Sequence, residues 1–98
     1  MDYYPIDYVS IGKKIRKCRK EKHLTQAELA ELINRSLSFV GHIERGTRII
    51  SLETFLNIVQ ALDCSADHLL GTSKEEKQAH LSAERILQIA ADLAAKEL

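Results

Sequence analysis

Four hydroxyl residues, Thr25, Ser36, Ser51 and Ser65, each stand directly before a short run in which apolar residues recur every three or four positions. A hydroxyl at such a place accepts a hydrogen bond from one of the first backbone N–H groups of a helix, which have no partner inside the helix, so each marks a helix start. Thr25 is followed three residues on by Glu28, the arrangement in which side chain and backbone satisfy each other in both directions. Gly46 and Gly71 close two of the runs, as glycine does where a chain must leave a helix left-handed. No strand-like alternation occurs, and connections of about two to five residues force neighbouring helices to pack on one another. The chain therefore reads as all-α, a bundle of five helices, the first from about Val9 to Lys22. The expected inner faces are Ile11, Ile15 and Cys18 on the first helix, Ala27, Ala30 and Ile33 on the second, and Leu52, Phe55, Leu56, Val59 and Leu62 on the fourth.

A chain of 98 residues, 45 % hydrophobic and 29 % charged, has the size and composition of one soluble domain. At that size it folds alone but has too little interior to wall off a large substrate cavity. The expected partition is an N-terminal arm (1–10), a helical domain (11–70) and a polar connection with a C-terminal helix (71–98). Ser82 is the expected cap of that sixth helix, whose apolar face carries Ile86, Leu87, Ile89, Ala90, Leu93, Ala94 and Leu98 and either folds back, meets a second copy or takes a protein partner. No apolar run approaches the roughly 20 residues of a membrane span, and Met1 to Ser10 lacks the form of a secretion signal, so no membrane role and a cytoplasmic location are expected. In that setting Cys18 and Cys64 stay reduced.

The formal net charge is zero, yet its distribution is not even. Residues 1–50 hold ten Lys/Arg against six Asp/Glu, and residues 51–98 hold four against eight, giving halves of +4 and −4. Lys13, Lys14, Arg16, Lys17, Arg19, Lys20 and Lys22 are opposed only by Glu21 within their run. Such a run is ordinarily a solvated helix face, and beside a nucleic-acid reader it also attracts a polyanion.

The second and third segments form two short helices joined by a tight Asn34-Arg35 turn, a helix-turn-helix over residues 25–45. Ala30 supplies the small side chain needed at a steep crossing, and Asn34 tolerates a left-handed backbone. Turning about 100° per residue from Ser36 puts Val40 and Ile43 on a buried stripe, with Ser38, Gly41, His42 and Arg45 on the opposite, outer face. Small polar residues there permit close approach to a major groove. Phe39 falls at the core edge rather than on the outer face.

The runs Ile11-Gly-Lys-Lys-Ile-Arg, Leu24-Thr-Gln-Ala-Glu-Leu-Ala, Ile43-Glu-Arg-Gly-Thr-Arg and Ser51-Leu-Glu-Thr, followed by Ala66-Asp-His-Leu-Leu, resemble in order and spacing the Cro/CI-type (XRE-like) helix-turn-helix regulators of bacteria and phages. The resemblance covers about residues 11–70 and implies a five-helix, lambda-repressor-like DNA-binding domain. It further implies that Gln26 bonds a phosphate, that Leu37, Ser38 and His42 face bases, and that Arg19 and Glu44 form an internal ion pair. Asn34 stands where the family usually has Gly, and Ile50 where a Pro often precedes the fourth-helix cap. Leu37 and Gly41 replace the long amides that make sharper base contacts, which leaves direct readout to Ser38 and His42, with Leu37 able to touch a thymine methyl and Gly41 offering only backbone. Arg35, Arg45 and Arg48, with Thr47, are the expected phosphate contacts.

The expected activity is sequence-specific recognition of double-stranded DNA by a repressor that acts as a homodimer. The rival expectation is an antitoxin-like interaction module whose C-terminal helix clamps a partner protein and whose DNA binding is conditional. No nucleophile is spaced to a base and no Gly-rich phosphate loop is present, so no enzyme is expected. Cys64 with His68, or Cys18 with His23, lacks a matched second pair, so neither a metal nor another cofactor is expected. Tyr3, Tyr4 and Tyr8 are assigned to packing of the N-terminal arm rather than to base stacking. His42 is left open between a neutral hydrogen-bonding role and a pH-dependent one.

Overall fold

The computed structural model describes residues 5–72, 87–88 and 90–94. Five helices follow in order: α1 (Tyr8–Glu21), α2 (Gln26–Leu32), α3 (Leu37–Arg45), α4 (Leu52–Leu62) and α5 (Ala66–Leu70). Thr25, Ser36, Ser51 and Ser65 cap α2 to α5 through their hydroxyls, and the reciprocal Thr25–Glu28 bonds both form. The first helix starts inside the stretch read as an arm, because Asp7 accepts from the Ser10 N–H at 3.0 Å and caps it. Residues 87–88 and 90–94 are helical, with Leu87 and Leu93 exposed. Tyr3, Tyr4, Ser82, Ile86, Ile89 and Leu98 lie outside the described residues.

All five helices end in one way. His23, Asn34, Gly46, Asp63 and Gly71 each take a positive φ just past a helix, with values of 59°, 56°, 73°, 49° and 75°. The N–H after each reaches back to a carbonyl five residues earlier, as in Leu24 to Arg19 (3.1 Å), Arg35 to Ala30 (2.9 Å) and Cys64 to Val59 (3.3 Å). These bonds satisfy last-turn carbonyls and reverse the chain sharply. The sequence reading anticipated Asn34 and the two glycines; His23 and Asp63 were not anticipated, since neither residue type announces a helix stop as glycine does.

The core gathers Ile11, Ile15 and Cys18 of α1, Leu29 and Ala30 of α2, Phe39, Val40 and Ile43 of α3, Phe55, Ile58 and Leu62 of α4, and Leu69 of α5. Two expected inner faces are rotated. On α2 Leu29 is buried and Ala27 exposed, and on α4 Thr54 and Ile58 are buried while Leu52 and Leu56 stand 73 % and 52 % exposed. The α4 helix is apolar over a wide arc, so the side that faces inward is set by its neighbours and not by periodicity.

The α1 and α3 helices approach backbone to backbone. A Cβ on Gly12 would meet the Glu44 carbonyl oxygen at 2.6 Å, and one on Gly46 would meet the Val9 backbone nitrogen at 2.7 Å. Glycine at both places lets backbone lie on backbone, which fixes α3 along α1 and sets the aim of its outer face.

Candidate nucleic-acid interface

The inner flank of α3 is tied down by a buried charge pair. Arg19 Nε donates to Glu44 Oε2 at 2.6 Å and Nη2 to Oε1 at 3.0 Å, with the two side chains only 8 % and 2 % exposed. Nη1 of the same arginine donates to the Leu24 carbonyl at 2.8 Å, in the turn that leads to α2. The hydrogen bonds to Glu44 raise the Arg19 pKa above its ordinary value, although burial opposes the charge. One planar guanidinium thus joins α1, the α1–α2 turn and α3, and a fork of this kind fixes direction as well as distance. Gln26, expected at a phosphate, donates from Nε2 to Glu44 Oε1 at 3.0 Å. An amide nitrogen carries two hydrogens, so the contact orients the side chain and leaves one hydrogen for a second acceptor. Among the described residues every buried side-chain nitrogen and oxygen has a partner.

On the outer flank, Leu37, Ser38 and His42 are all exposed on α3. Gly41, read as part of that surface, is buried, because the Arg45 guanidinium one turn later folds over it and sits 3.0 Å from where a Cβ would be. Asn34, Arg35, Ser36, Ser38, Phe39, His42 and Arg48 line an open cleft beside α3. The guanidinium carbons of Arg35 and Arg48 each lie 4.9 Å from the centre of the Phe39 ring. The ring belongs to the core edge with 8 % exposure and acts as a platform for both cations. Arg35 also donates to Thr54 Oγ1 at 3.4 Å, which steadies it against the start of α4.

Thr47, expected at a phosphate, has its side chain turned toward α3. Its hydroxyl donates to the His42 carbonyl at 3.2 Å and lies 2.9 Å from His42 Nδ1. A hydroxyl has one hydrogen, and in this arrangement it is engaged within the chain. The Arg35–Thr54 link, the double stacking on Phe39 and the His42–Thr47 contact escaped the sequence reading. Only the last had a local signal, a donor-bearing ring five residues before a hydroxyl across a helix end.

Lys13, Arg16, Lys17 and Lys20 share an exposed face of α1 with Glu21. No group of three or more His, Cys, Asp or Glu residues able to hold a metal ion occurs among the described residues. Cys64 has its thiol pKa pushed up to about 11, chiefly by burial and further by the neighbouring Cys18. No helix among the described residues is long and apolar enough to cross a membrane.

This is the architecture of a helix-turn-helix protein, and the Helix-turn-helix family model matches residues 15–69. The chain belongs to that family, in its Cro/CI-type (XRE-like) branch, and its fold is the lambda-repressor-like all-α domain. It is 34 % identical over 84 residues to the immunity repressor protein of Bacillus phage phi105, covering 84 % of this chain and 58 % of that protein. The restriction-modification controller protein C.AhdI from Aeromonas hydrophila superposes with a TM-score of 0.61 at 40 % identity, over 64 % of this chain and 96 % of the controller. The P22 c2 repressor, solved in complex with a synthetic operator, gives 0.60 at 32 % identity over 64 % of this chain and 96 % of the repressor. The chain spans 66 % or less of the length of the first curated relatives it matches.

Proposed function

We propose that this chain is a sequence-specific, double-stranded DNA-binding transcriptional repressor that enters the major groove with α3. The observation that carries the reading is the exposed row Leu37, Ser38 and His42, flanked by Arg35, Arg45 and Arg48, on a helix whose opposite flank is fixed by the Arg19–Glu44 fork. Ser38 and His42 supply base-edge hydrogen bonds and Leu37 an apolar contact, while the arginines and the second amide hydrogen of Gln26 hold phosphates. The basic face of α1 adds sequence-independent attraction. The protein acts in the cytoplasm of a bacterium, whether encoded by the host or by a phage.

The active species is a homodimer whose two α3 helices enter successive grooves about 34 Å, or one duplex turn, apart. Its support is an apolar groove where Ile6, Leu52, Leu56 and Leu70 are 60 %, 73 %, 52 % and 40 % exposed, a surface of the kind that oligomers cover. Sedimentation equilibrium of the wild type and of Leu56→Glu tests this, with a dimer expected for the first and a monomer for the second.

Selection from a randomised duplex pool near physiological salt tests DNA reading. A two-fold-symmetric motif is expected, with Ser38→Ala and His42→Ala relaxing one or two positions each and Gln26→Ala weakening all sequences alike. A pool that stays random with folded protein overturns the reading. The exposed Leu87 and Leu93 favour a second reading, in which the C-terminal helix binds a partner protein. Truncation after residue 72 distinguishes them: loss of dimer and weakened operator binding fit the repressor, and intact operator binding with loss of a co-purifying protein fits the partner module.

A further inference from the structure

His42 Nδ1, Thr47 Oγ1 and the His42 carbonyl oxygen form a closed set of three polar atoms, with 2.9 Å between the first two and 3.2 Å between the last two. The hydroxyl has a single hydrogen to place. Directed at Nδ1, it leaves its own oxygen facing the carbonyl lone pair to lone pair, and one hydrogen bond forms. Directed at the carbonyl, it lets the ring donate Nδ1–H to Oγ1, and two form. The same carbonyl also accepts from the Gly46 and Thr47 backbone N–H groups, the second at 3.0 Å, and the bond from Thr47 holds its side chain beside the ring just past the left-handed Gly46.

We infer that Thr47 is a specificity-determining positioning residue, which holds neutral His42 with its hydrogen on Nδ1 and turns a bare, hydrogen-accepting Nε2 outward. The inference rests on the proposed entry of α3 into the major groove, and it names what the ring reads there. The base-edge donors in that groove are the exocyclic amino groups of adenine and cytosine; guanine and thymine offer acceptors, with the thymine methyl. A bare Nε2 therefore selects adenine or cytosine on the strand it faces and meets guanine or thymine acceptor to acceptor. Thr47 thus touches no base and still decides which bases His42 accepts, and it does so by occupying the other ring nitrogen.

Two measurements on the intact chain test this. Nitrogen-15 NMR of the imidazole at about pH 8, where an ordinary histidine is neutral, reads the tautomer without DNA: Nδ1–H is expected in the wild type and in Thr47→Ser, and its loss in Thr47→Val. Duplex selection with the same proteins is expected to give adenine or cytosine at the position that His42→Ala relaxes, with about a tenfold preference over guanine and thymine, since one unpaired acceptor in a contact costs about that factor. Thr47→Ser keeps that preference. Thr47→Val loses it or exchanges it for guanine or thymine, while the rest of the motif is unchanged, which also verifies that the variant is folded. Nε2–H in the wild type, or guanine or thymine at the His42 position of an otherwise enriched motif, overturns the inference. A pool that never enriches, with Nδ1–H present, overturns the repressor reading instead.

Discussion

On the inner flank of α3, Arg19 and Glu44 are removed from water and every charged atom is matched in a fixed fork. On the outer flank, Arg35, Arg45, Arg48 and His42 are exposed and lean on a ring, a glycine or a hydroxyl of their own neighbourhood. The two flanks use the same residue chemistry for opposite ends. Buried charges must be paired, so the inner set specifies how helices meet and tolerates no loss of one member. Exposed charges remain solvated, so the outer set adds little to stability and stays available to a ligand. A rigid inner flank is what allows an open outer flank to present its groups at a constant spacing.

The largest expected effect breaks the inner flank. Glu44→Ala leaves the Arg19 charge buried without its carboxylate and should lower the unfolding free energy by about 3–5 kcal/mol, read from the urea midpoint. Combining Arg19→Met with Glu44→Leu should restore most of that loss, because the cost lies in the stranded charge. A single-variant loss below about 1 kcal/mol would mean that water reaches the pair and the contrast between flanks is false. Next in size is Gly12→Ala, which sets a methyl against the α3 backbone and should cost about 1–3 kcal/mol while weakening DNA binding through a shifted α3.

On the outer flank the expected pattern inverts. Arg48→Ala should change stability by less than about 1 kcal/mol, since a stacked, exposed cation contributes little. Duplex affinity should nonetheless fall for all sequences, and the slope of log K against log salt should shrink by about one unit. A smaller, stabilising change tests the helix endings. Asp63→Gly relieves a side chain held at φ 49° and should raise the unfolding free energy by about 0.5–1 kcal/mol, read from the denaturant midpoint, without touching either flank.

The smallest effect is chemical. With its pKa raised to about 11, Cys64 carries less thiolate at pH 8 than an ordinary cysteine, so iodoacetamide should label it slowly in the folded protein and at the ordinary rate in urea. The folded state holds that proton more tightly than the unfolded chain, so this group contributes full stability below the ordinary thiol value. The contribution is lost as the pH rises from there towards about 11.

Much of the fold was legible because its signals are local. A hydroxyl three residues from the N–H it caps, an αL residue one step past a helix, and Ile11, Ile15 and Cys18 spaced along one stripe are all read within a few positions. The helix-turn-helix and the exposed Ser38, His42 and Arg45 follow from the same arithmetic, while Leu37 came from the family likeness. The inner ion pair was not read from spacing: twenty-five positions separate Arg19 from Glu44, and it entered only through likeness to a family.

What the sequence by itself determined is therefore the number of helices in residues 5–72, the starts of α2 to α5, and the exposure of Ser38, His42 and Arg45 on α3, because each depends on contacts between residues a turn apart. Tertiary structure alone decided which arc of α4 faces the core, that Gly41 lies beneath Arg45, that Gln26 is oriented by Glu44, and that Thr47 meets His42. Those outcomes depend on where whole helices come to rest. That is settled by fitting apolar faces and burying charges in pairs across the bundle, which no pattern along one segment records.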